Sequence, residues 1–71
     1  MSNDRDLAIE DLLVRIDIHE KIIQGAGVLL KKEMERNSID LREVRKWKAK
    51  IAESEHNIKA WKEELARLFN T

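Results

Sequence analysis

Apolar residues recur along this chain at steps of three and four positions, in two long series separated by a short polar break. The first series consists of Ile9, Leu12, Ile16, His19, Ile23, Ala26 and Leu30. The second consists of Val44, Trp47, Ile51, Ser54, Ile58, Trp61, Leu65 and Leu68. Such steps return to one face of an α-helix, so each series predicts a long amphipathic helix of the coiled-coil type.

The polar break at Arg36, Asn37 and Ser38 is so short that we expect it to form only a turn that reverses the chain. We therefore predict an all-α fold, a single antiparallel two-helix hairpin over residues 1–71. Helix 1 spans about 4–36, the turn about 37–38 and helix 2 about 39–69. Asn37 and Ser38 are favourable N-caps for the second helix, with Asp40 in its first turn. Ser2, Asn3 or Asp4 is expected to cap the first.

The first series has further apolar residues beside it, at Leu13, Ile22, Leu29 and Met34. One partner helix cannot cover a stripe this broad, so two hairpins are expected to pair as a four-helix-bundle homodimer with two-fold symmetry. Trp47 and Trp61 are large enough to reach across such a bundle. The predicted dimer interface comprises Leu13, Ile22, Gly25, Ala26, Leu29, Met34, Trp47 and Trp61.

Gly25 and Gly27 lie inside the first predicted helix, where each costs about 1 kcal/mol relative to alanine. Either they break the helix near residue 25, or they form a notch in a continuous helix where a neighbouring helix or a tryptophan approaches closely. The apolar series keeps its phase from Ile23 to Leu30, which favours the notch.

His19 and Ser54 interrupt the two apolar series. A histidine at such a position is usually buried or half-buried and hydrogen-bonded to a hydroxyl or a carbonyl, and with Ser54 it can fix the register and the oligomeric state. The alternative is a pH switch, in which a histidine that becomes charged below its reference pKa of roughly 6.5 weakens the core.

Composition adds three expectations. A chain of 71 residues supports one domain of marginal stability, and without cysteine it has no disulfide or thiolate metal site, which leaves oligomerisation as the stabilising device. Neither a secretory leader nor a transmembrane stretch is recognisable, so we expect a cytoplasmic protein that does not enter the membrane. A compact single-domain chain of this kind also suggests a phage or mobile-element origin.

The net charge is zero, but residues 1–20 carry six acids and two bases, and residues 31–50 carry eight bases and four acids. A hairpin would therefore have an acidic open end and a basic turn end. Helix dipoles explain many of these positions, but not the basic run at the start of the second helix. The basic turn end is a candidate partner-binding site formed by Lys31, Lys32, Arg36, Arg42, Arg45, Lys46, Lys48 and Lys50.

Two classes of function remain open. The first is a protein–protein interaction module that acts as a regulator, inhibitor or assembly adaptor. The second is a nucleic-acid-binding dimer that uses the basic turn end, although Trp47 belongs to the apolar series and is better suited to the core than to base stacking. This second architecture resembles that of the plasmid-encoded Rop protein, which binds paired RNA loops, as a fold-level analogy that rests on no shared residues.

Enzymatic chemistry has little support, because a long hairpin without a phosphate-binding loop or a nucleophile–base arrangement offers no pocket for a reaction. Glu53 and His56 form one Glu-x-x-His step, the spacing of four-helix di-iron proteins. Relative to Ile51, Ser54 and Ile58, however, the pair faces the exterior of the hairpin. We therefore expect no metal, no cofactor and no catalytic residues.

Overall fold

A computed structural model describes residues 3–70, which form two helices: α1 (Asn3–Met34) and α2 (Leu41–Phe69). The helices pack along each other in opposite directions, and the Cα trace has extents of 59 × 14 × 13 Å. The described residues contain no strand. The predicted all-α helical hairpin is therefore confirmed.

The two helices meet along the faces that the apolar series predicted, which we call the inner faces. Every member of both series is buried or half-buried. The best-covered apolar side chains are Leu12, Ile16, Ala26, Val44 and Ile58, none of which is more than 9% exposed. Burial of these side chains is the main favourable contribution to the packing of α1 on α2.

A polar layer crosses the middle of this core. His19 Nδ1 and Ser54 Oγ are 3.3 Å apart, at hydrogen-bonding distance, and the imidazole tautomer decides which atom donates. Ser54 is only 1% exposed, and the Trp61 ring meets His19 edge-on with their centroids 4.8 Å apart. The expected half-buried histidine paired with a hydroxyl is confirmed, and the pH switch stays a prediction.

The connection between the helices is longer than the polar break suggested. It spans residues 35–40, so α1 ends earlier and α2 begins later than the predicted turn at 37–38 would require. The Glu33 carboxylate explains this geometry: Oε1 accepts the backbone N–H of Asp40 at 2.9 Å, and Oε2 accepts Arg36 Nη1 at 2.8 Å. One nearly buried side chain thus links the last turn of α1 to Arg36 and to Asp40.

Asp40 caps the second helix. Its backbone is extended, and its Oδ1 accepts the N–H of Arg42 at 2.9 Å, as an N-cap side chain does. The prediction of Asn37 or Ser38 as the cap is therefore wrong, because the chain needs the extra residues to reach the start of α2. At the other terminus, α1 begins at Asn3, with Asp4 and Asp6 in its first turn. The Ser2 cap candidate lies outside the described residues.

Both glycines of α1 lie in regular helix. Neither has a positive φ, so the predicted alternative of a helix break is wrong. A Cβ atom built on Gly25 or Gly27 would meet nothing within 4 Å. The helix is continuous, as the notch interpretation required, but within one hairpin neither α2 nor a tryptophan approaches these glycines closely.

The open end of the hairpin is tied by a side chain of α1. Arg5 Nε donates to the Leu68 carbonyl oxygen at 2.9 Å, which satisfies a carbonyl in the last turn of α2. The N–H of Asn70 closes the same turn by donating to the Ala66 and Arg67 carbonyls. Both ends of the hairpin are thus linked by hydrogen bonds.

Candidate interaction surface on the first helix

Exposed apolar side chains are unequally divided between the two helices. On α2 the large exposed ones are Leu41 and Phe69, its first and last residues, and the other exposed positions hold charged residues, histidine or alanine. On α1 the large exposed ones are Leu7, Leu13, Val14, Ile18, Val28, Leu29 and Met34. The uncovered apolar surface of this hairpin therefore belongs mainly to α1.

Most of this surface lies in a single stripe, which we call the outer face. At about 100° per residue, its members fall within about 40° of Ile18 on either side. Its apolar members are the exposed Leu7, Val14, Ile18 and Leu29, the half-buried Ile22, and Gly25, and the exposed Asp11 lies among them. The stripe runs about 33 Å along the helix, at roughly 1.5 Å per residue.

The centre of the outer face lies about 130° around α1 from the centre of the inner face. Leu12 is 9% exposed and Val14 is 52% exposed; Ile16 is 6% exposed and Ile18 is 50% exposed. Two residues apart on a helix means about 160° apart around its axis. An apolar helix surface that its own chain leaves uncovered is typical of an interaction site.

The predicted interface residues are distributed over several surfaces. Ile22, Gly25 and Leu29 belong to the outer face. Leu13 is exposed on another side of α1, and Met34 is exposed at its C-terminal end. Ala26, at 3% exposure, packs between the two helices of the hairpin, and the half-buried Trp47 and Trp61 lie on the inner face of α2.

Sequence reasoning missed Leu7, Val14 and Ile18 as outer-face residues. The signal was present, because these three residues continue the spacing of Ile22 and Leu29 by steps of four and seven. The flank of the inner series does not include these three residues, because the outer face is a separate stripe on another side of the same helix.

Apart from Asp11, which lies within the stripe, charged side chains lie at the edges and ends of the outer face. Asp11 pairs with Arg15 at 3.0 Å and Asp17 pairs with Lys21 at 3.1 Å, both one turn apart on α1. Beyond Leu7 and Leu29, the same stripe ends in an exposed acid, Asp4, and an exposed base, Lys32. Such borders are typical of the polar rim around an apolar interface.

The basic turn end is a second candidate surface. All eight of its predicted residues are exposed: Lys31, Lys32, Arg36, Arg42, Arg45, Lys46, Lys48 and Lys50. Arg36 is already paired with Glu33, and the Lys46 ammonium lies over the Trp47 ring, 4.9 Å from its centroid. The hydrogen bonds from the Asp40 backbone and from Arg36 to the Glu33 carboxylate lower its pKa, so the ion pair persists to more acidic pH than an ordinary glutamate would allow.

The outward-facing pair Glu53 and His56 is exposed on α2. Over residues 3–70, histidine and carboxylate side chains form no group of three or more that could hold a metal ion. In the same range, neither helix combines the length and the apolar character needed to cross a bilayer.

Comparison with protein-family models, with curated proteins and with solved structures gives no match for this chain.

Proposed function

We propose that this chain is a small protein–protein interaction module, and that it docks on its partner through the outer face of α1. It acts as a regulator, inhibitor or assembly adaptor, by binding rather than by catalysis, in the cytoplasm. One partner that this face can take is a second hairpin, which gives a homodimer of four helices. The observation that supports the proposal is the apolar stripe from Leu7 to Leu29, which α2 does not cover.

A helix is the partner element that fits such a stripe best. The stripe is long and only one to two side chains wide. Apolar residues at steps of three, four and seven are the pattern by which one helix packs against another. Leaving them in water forgoes about 25 cal/mol for each Å² of apolar surface that packing would bury.

The decisive experiment replaces Ile18 by glutamate on the outer face. We expect Ile18→Glu to keep the helical hairpin, because Ile18 makes no part of the core, and to abolish association. Circular dichroism measures the first effect, and sedimentation equilibrium measures self-association. Pull-downs with wild-type and variant baits measure binding to other proteins.

Glu10→Gln, at an exposed position outside the outer face, is the matched control and should behave like the wild type. The proposal is wrong if Ile18→Glu changes neither self-association nor the proteins captured. It is also wrong if Ile18→Glu unfolds the isolated hairpin, because the residue would then serve the core.

A second candidate function is nucleic-acid binding by the basic turn end, as in the Rop-like architecture. The observation in its favour is the exposure of all eight cations at this end. Against it, the Trp47 ring is half-buried and one of its faces is occupied by Lys46, which reduces its use as a stacking platform. Binding would then depend on phosphate contacts alone.

Replacing Arg42, Arg45, Lys46 and Lys48 by glutamine tests this alternative without touching the core. If nucleic acid is the ligand, the wild type binds duplex or single-stranded probes with an affinity that falls steeply with salt, and the variant loses both the affinity and most of the salt dependence. We expect no retention of either probe at low salt and nuclease-resistant binding of a protein partner.

A further inference from the structure

We infer that the occupant of the outer face is a second copy of this chain, packed with its α1 antiparallel and with the two-fold axis beside Ile18. This inference rests on the proposed function and specifies its partner and geometry. It is carried by the symmetry of the stripe itself, by the charges at its two ends and by the position of Gly25.

The apolar positions of the outer face are arranged symmetrically about Ile18. Val14 and Ile22 lie four residues before and after it, and Leu7 and Leu29 lie eleven before and after. In an antiparallel pair of α1 helices centred on Ile18, each residue therefore meets its mirror position. Ile18 contacts its own copy, Val14 contacts Ile22, and Leu7 contacts Leu29, as a closed two-fold interface requires.

Gly25 acquires a role in this arrangement. Its mirror position is Asp11, the one charged residue within the apolar part of the stripe. Asp11 is held by Arg15 at 3.0 Å, so the pair needs room at the interface. Gly25 of the second copy offers that room, because it has no side chain and the space around its missing Cβ is empty.

Charge selects the antiparallel orientation over the parallel one. Asp4 and Lys32 are mirror positions at the two ends of the stripe, so they meet as opposite charges when the helices are antiparallel. A parallel pair would place Asp4 on Asp4, Asp11 on Asp11 and Lys32 on Lys32. The opposite charges favour the antiparallel pair, and the like charges disfavour the parallel pair.

The wider charge distribution points the same way. Six acids and two bases in residues 1–20 make the open end acidic, and eight bases and four acids in residues 31–50 make the turn end basic. Antiparallel packing brings the open end of each hairpin beside the turn end of the other. The cations nearest the axis, Arg15 and Lys21, are neutralised by Asp11 and Asp17 on their own helix.

Disulfide trapping tests this geometry directly, because the chain contains no cysteine. We expect Ile18→Cys alone to form a disulfide-linked dimer under mild oxidation, since the introduced thiol lies beside its own copy at the axis. Leu7→Cys and Leu29→Cys should each link slowly alone and rapidly when the two proteins are mixed. Gln24→Cys, exposed outside the stripe, is the control and should link slowly in every mixture.

A charge exchange gives a second readout that does not depend on cysteine. Asp4→Lys should weaken self-association by about three- to ten-fold, because two symmetry-related pairs of exposed opposite charges become repulsive. The double variant Asp4→Lys with Lys32→Asp should restore the wild-type dissociation constant, measured by sedimentation equilibrium at low salt.

Several results would overturn the inference. Rapid linking of Leu7→Cys alone would show a parallel pair, and linking of Gln24→Cys as fast as Ile18→Cys would show a different surface. A wild type that stays monomeric in sedimentation at high concentration would exclude a second copy as the occupant. The proposed function survives the last result if Ile18→Glu still abolishes capture of another protein, so the two failures are distinguishable.

Discussion

The two helices of this hairpin have similar lengths and the same type of inner face, but they differ on their outer sides. The side of α2 that faces away from α1 carries charged residues, histidine and alanine, so this helix has one apolar face. The corresponding side of α1 carries Leu7, Val14, Ile18 and Leu29, so this helix has two. Folding of the hairpin covers the one apolar face of α2 but only one of the two apolar faces of α1.

Under the proposed function, this difference separates the residues that stabilise the hairpin from those that bind a partner. Residues of the inner faces act at every protein concentration, because they hold α1 on α2 in the isolated hairpin. Residues of the outer face act only where a partner is present. A helix with apolar residues on two sides is normally an internal helix of a larger bundle. We infer that α1 takes this internal position once the partner docks.

The strongest test compares Ile16 and Ile18, which are two residues apart in the chain and lie about 160° apart around α1. Ile16→Ala should destabilise the hairpin by about 2–4 kcal/mol at any concentration, because it leaves a cavity in the core. Ile18→Ala should lower the free energy of unfolding only at concentrations where association occurs. Urea unfolding at low and high protein concentration measures both effects, and equal losses at low concentration would contradict the two-face description.

A smaller effect is expected in the polar layer. Ser54→Ala removes the hydroxyl that pairs with His19 in a fully buried position, and we expect a loss of about 0.5–1.5 kcal/mol. Ser38→Ala, at an exposed site in the connection, is the matched control and should be neutral. Thermal unfolding followed by circular dichroism measures the difference. A gain in stability from Ser54→Ala would mean that the layer serves specificity at the expense of stability.

Alanine substitutions at Gly25 and Gly27 compare a position on the outer face with one outside it. Gly27→Ala should stabilise the hairpin by about 0.5–1 kcal/mol, because helix propensity rises and the added Cβ meets nothing. Gly25→Ala should give the same gain at low concentration and also weaken self-association, since Gly25 lies on the outer face. Unfolding and sedimentation measured on both variants provide the comparison. Identical association constants for the two variants would argue against a partner at Gly25.

The smallest effect is expected at the connection, where Glu33→Gln should change the response to acid. The pKa of Glu33 is lowered from 4.5, so its charged form stabilises the fold above that value, and this contribution is lost as the pH falls through the lowered pKa. The melting temperature of Glu33→Gln should therefore lie below that of the wild type at neutral pH and approach it in acid. Glu35→Gln, two residues further on, is the control.

The inner faces could be predicted from the sequence because a single period governs them. Every residue from Ile9 to Leu30 in the first series, and from Val44 to Leu68 in the second, is buried or half-buried as its spacing requires. The His19–Ser54 pair followed from the same reasoning. Periodicity suffices here because an antiparallel pair of helices has only one contact line.

The connection and the outer face were harder to predict from the sequence, for different reasons. Glu33 acts through a hydrogen bond to Asp40, which the apolar periodicity does not encode. The sequence signal was its position, because an acid in the last turn of a helix is unfavourable with respect to the helix dipole and therefore indicates another role. The outer face was missed because Leu7, Val14 and Ile18 were counted neither with the inner series nor as its flank. Their spacing from Ile22 and Leu29 was the available signal, and their exposure shows that they form a second stripe.

The hydrogen bonds that join the two halves of the hairpin differ in the length of chain that each one closes. Glu33 and Asp40 are separated by 7 residues, His19 and Ser54 by 35, and Arg5 and Leu68 by 63. Because the entropy lost on closing a loop grows with its length, the hairpin should close at the connection first and zip toward the termini. In hydrogen exchange, amide protection should then be lowest at the open end and rise toward the middle of the rod.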